Sequence, residues 1–263
     1  MESGSDGFES PAHRHSWSRA ADEVRKEYLN GRRNVVLSLS EIRHVGEVFF
    51  GDPEGIRLYG RNPTAWFAAG ARVLGRTCVE ASLDERSRRI AESVRACVGT
   101  SGSAHVVDLF AGSGNLAFHI AEALGATALG IECDEDVYRL TRSNLDALGI
   151  DLLELRLGDW TDYSACPPRA AEVTVYVVAP PWGDALSCAH SLDLLRTTPS
   201  TGEVLAALSG DDTGGRRYAV VQVPFRGTVE EASLRRLCNQ EHLLARVPGC
   251  LIFDLGKPRT RRF

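Results

Sequence analysis

The hydrophobic patterning predicts a doubly wound α/β fold with a mostly parallel sheet, a C-terminal antiparallel hairpin and a small N-terminal α/β cap. Two observations carry this. From residue 104 onward, apolar β-rich runs at 104–110, 126–132, 152–157, 173–179 and 218–223 alternate with helical stretches at 115–124, 134–148 and 228–239. Such alternation calls for parallel strands joined by crossover helices on both faces. Beyond them, HLLARV and CLIFDL are joined by Pro248 and Gly249, a tight-turn pair that makes the last two strands an antiparallel hairpin.

The elements before residue 104 read as follows. Residues 1–16 are polar with Gly, Ser and Pro, the composition of a disordered leader. Trp17, Ala20, Ala21, Val24 and Tyr28 have the spacing of a helix with one packed face. VVLSLS, EVFFGD and GIRLYG, between residues 34 and 60, are short pieces separated by Gly and Asp-Pro, which predicts a β-rich cap. Two helices are expected at 63–74 and 82–98, the second opened by Ser82 with Glu85 three residues on, a capping-box pattern. The expected organisation is a leader over 1–16, a substrate-covering extension over 17–81 and a cofactor-binding domain over 82–263.

One constellation specifies chemistry. VVDLFAGSGN places Asp108 at the end of the first strand and Gly112 and Gly114 in the following loop, with a helix from Asn115. Glycines allow positive φ and close approach of the backbone to a ligand, and the same pattern binds dinucleotides. Asp108 separates the two readings, because a carboxylate at the strand end repels a pyrophosphate but suits a cofactor carrying an ammonium and a sulfonium. The acidic Glu132, 20 residues after Gly112, is placed to accept hydrogen bonds from ribose hydroxyls. The third strand runs into Asp159 and Trp160, a carboxylate and an aromatic suited to an adenine amino group and ring face. The fourth strand stops at Pro180 and Pro181. Prolines cannot continue a ladder, so the carbonyls of Ala179 and Pro180 are left free at the ligand crevice. Trp182 follows as a stacking surface, and Asp184 is the nearest acceptor for a departing proton.

VVDLFAGSGN, GIECDEDVYRLTRSNLDALGI, LRLGDW and VVAPPWGD resemble motifs I to IV of the Rossmann-like class I S-adenosylmethionine-dependent methyltransferases. The PPWG form, with SLDLLRTTP after it, is most similar to the trimethylguanosine synthase family of RNA cap guanine-N2 methyltransferases, over roughly residues 104–263. The resemblance implies an enzyme whose cofactor is S-adenosyl-L-methionine. The candidate cofactor set is Asp108, Phe110, Ala111, Gly112, Gly114, Asn115, Glu132, Cys133, Asp159 and Trp160. The candidate catalytic set is Ala179, Pro180, Trp182 and Asp184. The family's motif IV opens with a polar residue where this chain has Ala179, which leaves backbone carbonyls as the acceptors for a substrate amine.

Composition narrows the setting. The 263 residues are 43% hydrophobic, enough for one large core and a small appendage. Every apolar run is too short to span a bilayer, and residues 1–17 lack a signal peptide's basic end and apolar stretch, so a cytoplasmic location is expected. Seven scattered cysteines without a C-x-x-C pair read as reduced packing residues, and no metal site is assigned. Lys26 and Lys257 are the only lysines, an arginine bias that suggests a GC-rich bacterial genome. The formal charge of -5 favours N-methylation of a small planar heterocycle, as in natural-product biosynthesis, over a long polyanion. RNA is the alternative acceptor, with KPRTRRF at the C-terminus, Arg32 and Arg33 as its basic patch. A nucleotide-linked oxidoreductase accounts for the glycine loop alone, and an inert cofactor-binding scaffold is suggested by Ala179 alone.

Overall fold

The computed structural model describes residues 19–99, 103–164, 171–186, 191–209, 215–224, 228–237 and 242–256. The leader, Trp17, the KPRTRRF tail, Cys166, Cys188 and Cys238 lie outside the described residues.

A seven-stranded sheet organises the chain. Its strands are β1 (Ala104–Asp108), β2 (Thr127–Glu132), β3 (Leu153–Leu157), β4 (Val173–Val178), β6 (Arg216–Gln222), β8 (Leu243–Val247) and β9 (Cys250–Asp254), in the order β3-β2-β1-β4-β6-β9-β8. The first five are mutually parallel; β9 runs antiparallel to both β6 and β8. This is the doubly wound sheet with terminal hairpin expected from the sequence. A separate parallel pair joins β5 (Ser191–Leu192) to β7 (Thr228–Val229).

The strand order reverses direction at β1, and the crossovers explain the burial. On one face, α5 (Asp84–Val98), α6 (Asn115–Leu124) and α7 (Glu135–Leu148) bury Ile90, Val94, Leu116, Ile120 and Leu145 against Val106, Val175 and Ile252. On the other, α8 (Trp160–Ser164), α9 (Thr201–Ser209) and α10 (Glu231–Leu237) cover Val107, Leu129, Tyr176 and Val221, with Tyr163, Val204 and Leu234 in the same core. All six residues of β4 are buried, as a central parallel strand covered on both faces demands.

The N-terminal third differs from expectation. It is helical, with α1 (Arg19–Lys26) running into a π-turn, then α2 (Leu39–Phe50), α3 (Pro63–Ala68) and α4 (Gly75–Glu80). The only β pairing among its described residues is two isolated bridges, Val36 with Leu74 and Leu58 with Arg61. The β-rich reading failed because Ile42, Val45, Gly46 and Phe49 share the i, i+3, i+4, i+7 stripe of a helix, of which EVFF is only the last turn. The capping box lies at Ser38 and Glu41, whose side chains bond each other's backbone amides. Ser82 does not open α5: Leu83 is its N-cap, and the buried Ser82 hydroxyl is paired with Ser87. The helix expected over 63–74 ends at Ala68, because Gly70 takes φ +100° and Val73 and Leu74 turn inward as extended core residues. The helix expected over 228–239 begins only at Glu231, after the short strand β7.

This third is not a separate body. Tyr28, Leu37, Ile42, Leu58, Trp66 and Val73 belong to the same hydrophobic core as the α5–α7 face of the sheet. No helix among the described residues is long and apolar enough to cross a membrane.

Candidate functional site

Parallel register sets the site. Asp108 pairs with Gly130 and Val177, Glu132 pairs with Leu157, and Val178 pairs with Val221. The carboxyl ends of β3, β2, β1, β4 and β6 therefore lie side by side, with Asp159, Glu132, Asp108 and Ala179 following one another along one edge. A crevice beyond the carboxyl ends, at the point where strand order reverses, is where such sheets bind ligands.

Asp108 is 3% exposed, and its carboxylate accepts the Phe110 amide at 3.1 Å. Burial pushes its pKa up to about 7, the Phe110 hydrogen bond acting against this and neighbouring Glu132 adding to it. A buried carboxyl without a cationic partner is costly to ionise, so this position lacks the positive charge that would balance it.

The loop after Asp108 is held by glycine geometry. Gly112 has φ +53°, and a Cβ built there meets nothing within 4 Å; Gly114 has φ +70°, and a Cβ there would stand 2.6 Å from Leu153 Cδ2. Gly112 thus borders open space, whereas Gly114 is packed against β3. The Gly112 amide donates to Glu132 Oε2 at 2.8 Å, and the Asp134 amide donates to Glu132 Oε1 at 2.8 Å. Half-buried Glu132 is pushed up by burial, offset by those two amide bonds. It ties the glycine loop to the loop after β2.

Ala111 is buried, and its amide donates to the Ile131 carbonyl at 2.9 Å. Cys133 is exposed, its thiol raised by burial and then by Glu132. Asp159 is exposed and caps α8, accepting the Thr161 amide at 2.9 Å and its hydroxyl at 2.6 Å. Trp160 and Phe110 lie with ring centroids 6.4 Å apart, and both, with Trp182, pack at the margin of the second core.

Asn115 is placed differently from the rest of the candidate set. Its side chain is 1% exposed and turned to the N-terminal third: it accepts the Tyr59 amide at 2.7 Å and donates to the Ser82 carbonyl at 2.7 Å and Asp84 Oδ1 at 3.1 Å. Asp84 Oδ1 also lies 2.8 Å from Nε2 of buried His119. This polar cluster supports the loop from behind and does not face the crevice.

In the segment after β4, Ala179 is half-buried, Pro180 buried and Pro181 exposed. The Pro181 carbonyl accepts the Thr198 amide at 3.3 Å, and the Ala185 carbonyl accepts the Asp193 amide at 2.9 Å. SLDLLRTTP is thereby tied onto the Pro-Pro-Trp turn. The carbonyls of Ala179 and Pro180 are not taken up by any loop or turn hydrogen bond between described residues. Gly183–Ala185 forms a 3-10 turn; the Asp184 side chain lies outside the described structure.

Three participants escaped the sequence reading: Tyr59, Arg76 and the Asp84–His119 pair. Only the first left a signal, since Tyr-Gly between Leu58 and Arg61 has the form of a two-residue turn. Among described residues no cluster of His, Cys, Asp and Glu is arranged to hold a metal.

Comparison with known proteins gives a match of residues 88–206 to the family model "Conserved hypothetical protein 95". No curated protein matches the chain. Among solved structures, an rRNA methylase from Streptococcus thermophilus is 16% identical, with 66% of this chain and 98% of that one covered and a TM-score of 0.38. A methyltransferase from Geobacter sulfurreducens is 17% identical, with 66% and 79% covered and a TM-score of 0.44. An RNA methyltransferase from Salinibacter ruber in complex with S-adenosyl-L-homocysteine is 18% identical, with 67% and 94% covered and a TM-score of 0.41.

Proposed function

We propose that the chain is an S-adenosyl-L-methionine-dependent methyltransferase that methylates a nitrogen of a nucleobase in RNA. The observation that carries the donor assignment is the row of Asp108, Glu132 and Asp159 at adjacent strand ends, beside a glycine loop whose Gly112 borders open space. Asp108 suits a cationic group, because an ammonium beside it would replace the solvation it has lost. Glu132 has lone pairs left for ribose hydroxyls, and Trp160 and Phe110 offer aromatic surface for a purine.

When bound, the donor supplies an electrophilic methyl on sulfonium sulfur. The chain's own contribution is placement, which in a displacement of this kind supplies much of the acceleration. Trp182 stacks the acceptor ring, and the Ala179 and Pro180 carbonyls accept hydrogen bonds from its amine and favour the positive charge that develops on nitrogen.

RNA is preferred to the small heterocycle by the distribution of charge. Arg and Lys outnumber Asp and Glu over residues 19–99, although the whole chain carries -5. Arg57 and Arg88 in this segment are exposed and form no ion pair among the described residues. Local cations of this kind meet phosphates. The net negative charge is what favours the small-molecule reading.

Transfer of labelled methyl from the donor into a bacterial lysate, divided into RNA and small molecules, tests the acceptor. Label in RNA is expected. Label confined to small molecules would replace RNA with a metabolite, and a protein that binds no S-adenosyl-L-homocysteine would end the methyltransferase reading.

The donor assignment makes opposite predictions for two glycines. Gly112→Ala should cost only about 1 kcal/mol of backbone strain while putting a methyl group into the crevice, so calorimetry should find S-adenosyl-L-homocysteine binding lost in a folded protein. Gly114→Ala adds a clash with Leu153, and its principal effect should be a lower melting temperature.

A further inference from the structure

Residues 17–81 are expected from the sequence to cover the substrate, yet Tyr59 and Arg76 of this segment make polar contacts to the loops of the donor site. Leu58 and Arg61 exchange backbone hydrogen bonds of 3.0 and 2.9 Å around Tyr59 and Gly60, whose φ values are +53° and +77°. This is a two-residue turn with both central residues left-handed, a geometry that favours Asn-Gly. Tyr59 is the one non-glycine with positive φ among the described residues. A bulky side chain in that conformation is strained, so something must hold it there.

The holding contacts lead to the glycine loop, to the start of the helix after it and to Asp84 of α5. The Tyr59 hydroxyl donates to the Ser113 carbonyl, its amide donates to Asn115 Oδ1 at 2.7 Å, and the Gly60 amide donates to Asp84 Oδ2 at 2.8 Å. Its ring meets Phe118 edge-on at 5.7 Å. Burial, and then Asp84, raise the phenol above its ordinary value, so the hydroxyl remains a donor.

The second anchor is Arg76 of α4, 6% exposed, whose guanidinium pairs with Asp134. That pairing is the largest influence holding the Asp134 carboxyl below its usual range. Asp134 caps α7 through the Asp136 and Val137 amides, and its own amide holds Glu132. The N-terminal third therefore grips both loops that Glu132 joins.

We propose that Tyr59 and Arg76 are positioning residues for the donor site. Through them, residues 19–81 keep the glycine loop and Glu132 in the conformation that receives the donor. This rests on the methyltransferase reading above.

Calorimetric titration with S-adenosyl-L-homocysteine, paired with thermal melting of the unliganded proteins, tests it without needing the acceptor. Tyr59→Phe keeps the ring packing and removes one hydrogen bond to the loop, and is expected to weaken binding roughly five- to tenfold with little change in melting temperature. Arg76→Met is expected to weaken binding by a similar factor, and Arg76→Lys, which keeps the charge beside Asp134, to recover part of it. Wild-type affinity in both Tyr59→Phe and Arg76→Met would overturn the proposal, as would a lower melting temperature with unchanged affinity. Absence of binding by the wild type would instead remove the methyltransferase reading, and the positioning role with it.

Discussion

Asp108→Asn is expected to stabilise the ligand-free protein and abolish donor binding at once. The carboxyl is 3% exposed, and its pKa is raised from 3.8 to about 7, burial being the first cause. Between those two values the folded state binds the proton more tightly than the unfolded state, so this group lowers stability as pH rises from about 4 to 7. Above pH 7 both states have lost the proton, and the penalty is constant. A shift of about three units corresponds to about 4 kcal/mol at most. Asparagine keeps the shape and can still accept the Phe110 amide, so the variant should gain on the order of 2–4 kcal/mol at pH 8. Thermal melting from pH 4 to 8 checks this. The gap between variant and wild type should be small at pH 4, widen up to pH 7 and then level off. In calorimetry at pH 8 the variant should bind no S-adenosyl-L-homocysteine, having lost the carboxylate for its ammonium, while wild-type affinity should rise with pH until Asp108 is ionised. A variant less stable than wild type at pH 8 would show that Asp108 has a native partner in the free protein. Stability given up at a binding residue is common where function needs an unsatisfied group.

The sheet-bearing part of the fold was legible in the sequence because each of its elements carries its own periodicity. The Val-rich run of β4 and the alternation from β1 to β6 mark a sheet buried on both faces, and Pro248-Gly249 marks the hairpin. The N-terminal third was not legible in the same way. Six-residue helices such as α3 and α4 hold fewer than two turns, too few to show a helical period. EVFF read alone looks like a strand, and becomes a helix end only when joined to the Ser38–Glu41 capping box upstream.

The site followed the same division. Asp108, Gly112, Glu132 and Asp159 come together as expected because strand ends in a parallel sheet converge, so sequence position implies spatial position. Tyr59 and Arg76 lie 54 residues from Ser113 and on a different element from Asp134 respectively, and no local pattern links them. The Asn115 side chain, directly after Gly114, turns inward at the start of α6 and bonds to Tyr59, Ser82 and Asp84, none of which its place in the sequence indicates.

Trp182→Ala is expected to reduce turnover by about a hundredfold or more while leaving donor affinity within about twofold. Trp182 follows the two prolines that end β4, and its carbonyl accepts the Ala185 amide at 2.8 Å, so the backbone of the turn does not depend on the indole. Its ring packs at the margin of the second core with Phe110 and Trp160 and is only half-buried, which leaves surface for an acceptor base. Stacking of one base contributes about 1–3 kcal/mol, but the larger loss is of orientation, since a nucleophile misplaced by about an ångström reacts about a hundred times more slowly. Trp182→Phe keeps an aromatic face and should recover most of the rate. Single-turnover methyl transfer into RNA, with the donor dissociation constant measured separately, distinguishes the roles. An equal loss of turnover and donor affinity would mean that Trp182 holds the donor rather than the acceptor, and would move the acceptor site away from the Pro-Pro-Trp turn.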